Sequence, residues 1–428
     1  MLPNISKKVL SDLKSRLLYL LMGILIYRIG TYVPIPGIDI DILAKSFNDK
    51  DLGVLGIFNM FSGGALGRMS IFSLAIMPYI TASIVIQLLT SIYKPFMELK
   101  EEGASGRSKI SSYTRYLTIL LCLTQGYGVV LGINSGFFSK YGQVVIIDND
   151  IFVISSVFTL TAGTMFLMWL GEQITKNGIG NGISILIFAG IVAELPSSFV
   201  TLFDMAKTAK IDYYVLFIVI LGFILFLSIT VFFEKSYRML SVNYPRVQRL
   251  QYVQNARKSS LPIKINISGV IPPIFASALL SFPATLYSFN NGNEFIEKIY
   301  SYFTPGSLVY DLFFAFLIAV FTFFYTSIVF NSKEVALNLK KSGGVLLGYR
   351  PGENTEKYLD SLITRITVIG VIYLIFICIV PQMFITKYSV PLYIGGTSLL
   401  IIVSVSMDLV TQIQSHLYSD QYQKLIKK

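Results

Sequence analysis

The chain has 428 residues, of which 54% are hydrophobic and 14% are charged, and its mean hydropathy is +0.65. A soluble domain carries roughly 25% charged residues, so this composition excludes an ordinary soluble protein and favours a membrane protein. The only histidine, His416, lies near the C-terminus, which argues against a Ser-His-Asp catalytic site. The two cysteines, Cys122 and Cys378, both lie in apolar stretches and give neither a disulfide framework nor a metal-site spacing.

Ten apolar stretches are long enough to cross a bilayer. A transmembrane helix needs about 20 mostly apolar residues to span roughly 30 Å of hydrocarbon. One such stretch could be the core of a soluble fold, but ten could not, so the sequence predicts an all-α integral membrane protein with ten transmembrane helices. The predicted spans are 16–36, 71–93, 114–134, 151–170, 183–203, 213–233, 267–289, 308–330, 363–383 and 391–411.

Basic residues precede the first span. Lys7, Lys8, Lys14 and Arg16 resemble the charged region of a secretory signal. The apolar run after them is too long for a signal peptide, and no small-x-small cleavage site follows it. We therefore interpret this segment as a transmembrane helix whose N-terminus is cytoplasmic.

The net charge of +11 is unevenly divided between the two sides of the membrane. With a cytoplasmic N-terminus, the loops and helix ends on that side hold 26 of the 35 Lys and Arg residues. The opposite loops hold 8, and Arg28 lies in the first span. The 24 acidic residues divide 12 and 12. This is the positive-inside pattern. It supports the count of ten spans, because a missed helix would mix the two sets, and it predicts that both termini are cytoplasmic.

Residues 58–70, Phe-Asn-Met-Phe-Ser-Gly-Gly-Ala-Leu-Gly-Arg-Met-Ser, fit neither a span nor a loop. They are too short and glycine-rich to cross the membrane and too apolar for a solvated connection. Irregular backbone is tolerated at membrane depth only where it is buried in protein or lines a cavity. Two interpretations are open: a re-entrant half-helix, or an interfacial helix on the outer surface.

Two cytoplasmic loops, 234–266 and 331–362, are unusually long and basic. The first carries seven basic residues against Glu234 alone, and the second carries five basic residues with four acids interleaved. Such loops can simply set orientation and attract anionic lipid headgroups. They can equally form a docking surface for an acidic partner or for RNA phosphates.

Motifs of enzymatic or ion-coupled chemistry are missing from the sequence. It contains no phosphate-binding loop, no His-Glu-x-x-His and no Gly-x-Ser-x-Gly, so we expect no enzymatic activity, cofactor or metal. Ion-coupled carriers place ionisable residues within their spans. The main candidates, Arg28, Glu194 and Asp408, lie near predicted helix ends, where snorkelling to the interface explains them.

Long, non-repetitive stretches, in order along nearly the whole chain, carry a family resemblance. The most specific are Gly-Thr-Met-Phe-Leu-Met-Trp-Leu-Gly-Glu-Gln-Ile-Thr at 163–175 and Gly-Ile-Gly-Asn-Gly-Ile-Ser at 178–184. Others lie at 28–39, 60–66, 76–89, 102–110, 269–277, 338–344, 350–353 and 395–401. By these stretches the chain resembles the SecY family, the central subunits of the bacterial protein translocase.

The resemblance implies an hourglass-shaped channel between two five-helix halves, here 1–208 and 209–428. It implies that segment 58–70 is the plug, a short re-entrant helix closing the outer funnel, with the plug residues Phe61, Ser62, Gly63, Gly64, Ala65, Leu66 and Gly67. The apolar ring at the constriction matches Ile76, Ile80, Ile183, Ile187, Ile274 and Ile401. Sideways opening is expected between the second and seventh spans, where the polar positions match Thr81, Gln87 and Asn266.

The resemblance also implies the function: a passive channel that exports unfolded polypeptides across the bacterial cytoplasmic (inner) membrane and releases apolar segments into the bilayer. The implied partners are the SecE and SecG membrane subunits, the SecA motor ATPase, the ribosome and the signal sequences of client polypeptides. The docking surface for motor and ribosome is expected at Arg249, Arg257, Lys258, Lys340, Lys341 and Arg350.

Two places depart from the family pattern. Loop 244–256 is less basic than expected and contains Pro245, and Glu194 stands where a small or neutral residue is expected. The alternative function is a small-solute secondary transporter, against which the sparse central charge argues. A polytopic membrane enzyme is a third possibility, opposed by the lack of a nucleophile–base or metal constellation.

Overall fold

The computed structural model of the chain describes residues 7–40, 42–43, 59, 62–134, 144–146, 148–208, 212–243, 259–288, 306–388 and 395–426. Its first part contains α1 (Lys7–Gly30), α2 (Met77–Ile92), α3 (Lys94–Glu101), α4 (Ala104–Asn134), α5 (Asn149–Asn177) and α6 (Gly182–Lys207). In this part α4 packs against both α2 and α5, and α5 packs against α1 and α6.

The second part of the chain is also built mainly of helices. They are α7 (Tyr213–Glu234), α8 (Ile271–Ser288), α9 (Leu308–Val329), α10 (Ser332–Ser342), α11 (Glu353–Tyr388) and α12 (Gly396–Ile426). Here α9 packs against α8 and α11, and α12 packs against α7 and α11. The two parts meet where α8 packs on α2 and α4, and where α12 packs on α6 and α1.

Side-chain caps start several of these helices. Asn181 accepts a hydrogen bond from the backbone N–H of Ile183 at 3.1 Å and begins α6. Ser307 accepts one from the N–H of Tyr310 at 3.2 Å and begins α9. Such caps satisfy backbone donors that the first turn of a helix leaves unpaired. Inside the apolar runs the helix satisfies its own backbone, as lipid requires.

Judged by length and composition, fewer than ten of the described helices qualify as membrane-crossing helices. Among the described residues, seven helices are long and apolar enough to cross a membrane, or eight if α2 and α3, bent by 93° at their junction, form one span. A described helix lies in each of the ten predicted stretches. However, α1 carries Lys14, Arg16 and Arg28, and the apolar part of α8 that could be assessed is only Ile271–Leu280. The multi-spanning helical architecture is thus present, and the count of ten is not confirmed.

The second predicted span begins too early. Residues 71–76 form turns, and α2 begins only at Met77. Ala75 adopts a left-handed φ of 48°, which is costly for a residue with a Cβ and ends any regular helix there. Pro78, in the first turn of α2, favours a helix start, because proline has no N–H to leave unpaired.

The long basic loops contain a three-stranded antiparallel sheet. Its strands are β1 (Tyr237–Asn243), β2 (Ser259–Lys264) and β3 (Val345–Leu346), in the order β2-β1-β3. Tyr237 pairs with Lys264 and Val242 with Ser259, while Val242 also pairs with Leu346. The buried face of the sheet packs on α10 and α11 around Leu240, Val242, Ile263, Ala336, Leu339, Leu346, Leu359 and Ile366. The two predicted loops therefore form one folded unit.

Candidate functional site

The six isoleucines expected at the constriction belong to one hydrophobic cluster that joins both parts of the chain. Five of them are 8% exposed or less, and Ile183 is half-buried at the edge of the cluster. Their positions are Ile76 and Ile80 at the start of α2, Ile183 and Ile187 in α6, Ile274 in α8 and Ile401 in α12. Four helices thus bring apolar side chains to one place.

Helical spacing explains two pairs of this cluster. Side chains four residues apart in a helix lie on the same face, which places Ile183 with Ile187, and Ile80 one turn above Ile76. Ile183 packs closely on α5, because a Cβ on Gly171 would lie 2.9 Å from its Cγ1. The helices contribute in two packed pairs, α2 with α8 and α6 with α12. The contact surface is hydrocarbon, which excludes water without directional bonds.

The expected plug is buried beside this cluster. Residues 62–67 are all buried, and Ala65 belongs to the same hydrophobic cluster as the isoleucines. Asn59 is helical, whereas residues 62–76 consist of turns, so the expected short helix does not extend through the glycines. Phe61 lies outside the described residues. The burial favours the re-entrant interpretation of this segment over an interfacial helix.

Hydrogen bonds to backbone carbonyls hold the plug in place. The Tyr27 hydroxyl donates to the carbonyl of Ser62 at 3.0 Å. The guanidinium groups of Arg28 and Arg68 both donate to the carbonyl of Gly63, at 3.0 and 2.9 Å. Arg28 therefore bonds to the backbone of the plug segment, a contact that the snorkelling interpretation does not include.

The two adjacent glycines permit this close packing. Gly63 and Gly64 have left-handed φ angles of 66° and 78°, which favour glycine. A Cβ on Gly63 would lie 3.0 Å from the Cα of Gly190 in α6. A Cβ on Gly64 would overlap Oε1 of Glu194, also in α6. The sequence indicated neither approach, because both partners are more than 100 residues away along the chain.

Two of the three expected gate residues lie on α2, which packs against α8. The Thr81 hydroxyl donates to the carbonyl of Met77 at 3.1 Å, and the Gln87 amide donates to the Ser83 hydroxyl at 3.3 Å. Both of these bonds stay within α2. Thr81 is half-buried and Gln87 is exposed, so their outer surfaces remain open to another chain.

The third gate residue, Asn266, is buried at the turn that leads into α8. Its amide donates to Oε1 of Glu234 at 2.6 Å, and its carbonyl oxygen accepts from the Ser268 hydroxyl and the Gly269 N–H at 3.2 and 3.1 Å. Glu234 is only 5% exposed. This role is not evident from the sequence, in which Glu234 is the lone acid of a basic loop.

Part of the expected docking surface is visible. Lys340 and Lys341 lie in the last turn of α10, Arg350 lies between β3 and α11, and all three are exposed. The rings of Tyr349 and Tyr358 stack 4.0 Å apart beside Arg350 and hold that turn against α11. Arg249, Arg257 and Lys258, and the whole of loop 244–256 with Pro245, lie outside the described residues.

Two further acidic residues lie on described helices that are long and apolar enough to cross a membrane. Asp311, near the start of α9, is 9% exposed, and its Oδ1 has no hydrogen-bond partner among the described residues. The sequence alone does not identify Asp311 as a buried acid, because it stands at the predicted edge of a span. Asp408 is exposed on α12 and forms a 3.8 Å ion pair with Lys264. Cys122 and Cys378 are both buried and free.

Comparison with known proteins places these features in a family. The family model described as SecY matches residues 70–410. The protein translocase subunit SecY of Rickettsia typhi is 48% identical over 426 residues, covering 99% of this chain and 98% of the relative. The corresponding subunit of Escherichia coli K12 is 46% identical over 426 residues, covering 99% and 96%.

Solved structures show the same fold. A protein-conducting channel superposes with a TM-score of 0.70 at 18% identity, covering 98% of this chain and 95% of the other. A second structure, of a SecY protein whose plug domain is reported to stabilise the closed state of the translocation channel, gives a TM-score of 0.67 at 19% identity over the same shares. By the family model and by full-length relatives at nearly half identity, this chain is a member of the SecY family.

Proposed function

We propose that the chain is the central pore-forming subunit of a protein translocase. It would act as a passive channel that exports unfolded polypeptides and releases apolar segments sideways into the bilayer. The observation that carries this proposal is the isoleucine cluster, in which α2, α6, α8 and α12 contribute side chains beside a buried, glycine-rich plug. Full-length similarity to proteins named translocase subunit SecY supports it.

The cluster suits the resting state of such a channel. A narrow apolar constriction excludes water and ions by dewetting. Apolar contacts are non-directional, so isoleucines can move apart around a passing chain and close again without losing specific bonds. The two halves, 1–208 and 209–428, would separate along the line where α2 packs on α8.

Sideways release would follow the same seam. Interhelical polar contacts in membranes contribute roughly 0.6–2 kcal/mol each, so Thr81, Gln87 and Asn266 could supply only a small barrier. A client segment gains about 0.8 kcal/mol per CH₂ that it buries in lipid. Summed over a span, this gain exceeds the cost of opening the seam.

The proposed setting is the bacterial cytoplasmic membrane, with both termini on the cytoplasmic side, because the basic residues concentrate in that set of loops. The proposed partners are SecE and SecG within the membrane, and SecA and the ribosome at the cytoplasmic unit. Lys340, Lys341 and Arg350 are exposed there and could contact acidic groups or RNA phosphates. The drive for transport would come from these partners, since we expect no ATP site in this chain.

Reconstitution tests the proposal against the small-solute transporter. The chain, co-purified with its small membrane subunits from native membrane, is placed in liposomes with the motor ATPase, ATP and an unfolded precursor. Protection of the precursor from external protease is the expected result. Saturable uptake of a small solute without any partner, and no precursor protection, would refute the channel function. No observation in the structure favours the transporter or a membrane enzyme.

A further inference from the structure

Three charged side chains meet at the buried plug. Arg28 comes from α1, Arg68 from the plug segment itself and Glu194 from the middle of α6. Both arginines donate to the carbonyl of Gly63, and the Glu194 carboxylate lies against the next residue, Gly64.

The two cations converge on one point. Both guanidinium groups donate to the carbonyl of Gly63, and both lie over the ring of Tyr32, at 4.9 Å for Arg28 and 4.3 Å for Arg68. Arg68 also donates to the carbonyl of Thr31 at 3.3 Å. Two like charges this close repel each other, and more strongly away from bulk water. The arrangement therefore requires a compensating negative charge.

Glu194 is placed to supply that charge. A Cβ placed on Gly64 would overlap Oε1 of Glu194. The same Cβ would lie 2.8 Å from Nη2 of Arg68. The carboxylate and the guanidinium therefore lie close together beside the glycine, near enough for charge attraction without a direct ion pair. The Ser197 hydroxyl donates to the other carboxylate oxygen at 3.1 Å, which fixes the direction of the Glu194 side chain.

We propose that Glu194 is a positioning residue of the plug: its carboxylate attracts Arg68 and Arg28 beside Gly64 and holds the plug against α6 in the closed channel. This inference rests on the proposed channel function and deepens it. The plug would be held on one side by α1, through bonds to backbone carbonyls, and on the other by α6, through charge. Loss of the carboxylate would leave two uncompensated cations and shift the plug toward the open position.

The test is the resting ion conductance of the reconstituted complex in planar bilayers. Glu194→Gln keeps the shape of the side chain and removes its charge, and a roughly fivefold rise in resting conductance is expected for the loss of one partly buried charge interaction. Asp204→Asn is the matched control, because it makes the same charge change at an exposed position of the same helix and is expected to leave conductance unchanged.

Charge reversal separates an electrostatic role from a structural one. Channels with Glu194→Arg or Arg68→Glu alone are each expected to show a raised resting conductance. The double variant is expected to lower that conductance again at least in part, because the effects of two interacting charges are not additive. The same double variant keeps the proposal testable if Glu194→Gln folds poorly. Absence of rescue, with Glu194→Gln no leakier than Asp204→Asn, would overturn the inference.

Deletion of residues 58–70 distinguishes this inference from the plug assignment, and precursor protection in the reconstituted complex tests the proposed function separately. If the deletion leaks and Glu194→Gln does not, the plug assignment stands and the role of Glu194 is refuted. If the deletion stays sealed, the plug assignment itself fails, and the inference fails with it. If the deletion and Glu194→Gln both raise the resting conductance and Asp204→Asn does not, the plug assignment and the role of Glu194 are both supported.

Discussion

At the scale of single residues, the isoleucines of the constriction act through shape and apolarity alone. Ile80 is 7% exposed and Ile274 is 8% exposed, and they reach the cluster from different halves. A hydroxyl in their place would give water a hydrogen-bonding partner in a region that now offers none. If these isoleucines form the proposed seal, each member should contribute to it.

Ile80→Ser and Ile274→Ser are each expected to raise the resting ion conductance severalfold, since a polar side chain favours wetting of the constriction. The measurement is single-channel recording of the reconstituted complex. Ile92→Ser is the control, because Ile92 lies on the same helix as Ile80 and is 75% exposed. Unchanged conductance in both ring variants would refute the assignment of the seal.

Gly64→Ala tests the close approach of plug and α6. The added methyl group meets Glu194 and Arg68, and φ of 78° disfavours alanine, so a leakier channel and a less stable plug are expected. Gly103→Ala imposes similar backbone strain, with φ of 77°, but has no neighbour within 4 Å. Planar-bilayer conductance compares the two. Equal conductance of the two variants would mean that the contact between Gly64 and α6 does not help to seal the channel.

At the scale of elements, the entry to α8 depends on a buried pair of polar residues. Asn266 closes the turn at Gly269, and Glu234, the last residue of α7, fixes the Asn266 amide. A buried polar group is costly to leave unpaired. The direction in which α8 leaves the cytoplasmic unit, and hence the position of Ile274, follows from this pair.

Glu234→Ala is expected to lower the free energy of unfolding by about 1–3 kcal/mol, the usual effect of leaving a buried donor unpaired. The measurement is thermal unfolding of the purified complex, where a lower midpoint is expected. Glu353→Ala removes an exposed acid at the start of α11 and serves as the control. In a double-mutant cycle with Asn266→Ala, additive losses would argue against direct coupling.

At the scale of the whole molecule, the two long cytoplasmic loops act as one unit. The pairing of β1 with β2 and β3 joins the connection after α7 to the connection after α10, and one hydrophobic cluster lies beneath the sheet. Arg350 projects from this unit on a turn held by the stack of Tyr349 on Tyr358. A partner that binds there could move α8 and α9 together.

Arg350→Glu is expected to slow motor-driven export markedly while co-purification with the membrane subunits stays normal, because the Arg350 side chain is exposed on the surface of the unit. The assay is export of a precursor into inverted membrane vesicles. Lys357→Glu, an equal charge change at an exposed position of α11, is the control. Normal export in the Arg350 variant would exclude the docking role.

Some features of the site were predictable from the sequence and others were not. The isoleucines and the glycines were identified through family resemblance, because an isoleucine in an apolar helix carries no local signal of its own. Glu234 and Asp311 were missed, since composition does not show whether an acid at a helix end turns inward. Arg28 and Glu194 were attributed to snorkelling, and the structure places both beside the plug.

The sequence by itself determined the membrane class, the helical architecture and the charge asymmetry of the loops. These follow from hydrophobicity and from the distribution of Lys and Arg, which are local properties. Only the tertiary structure decided that residues 62–76 form buried turns, that the basic loops share a sheet, and that six isoleucines from four helices form one cluster. Each depends on contacts between distant segments, whose energies no single stretch of sequence contains.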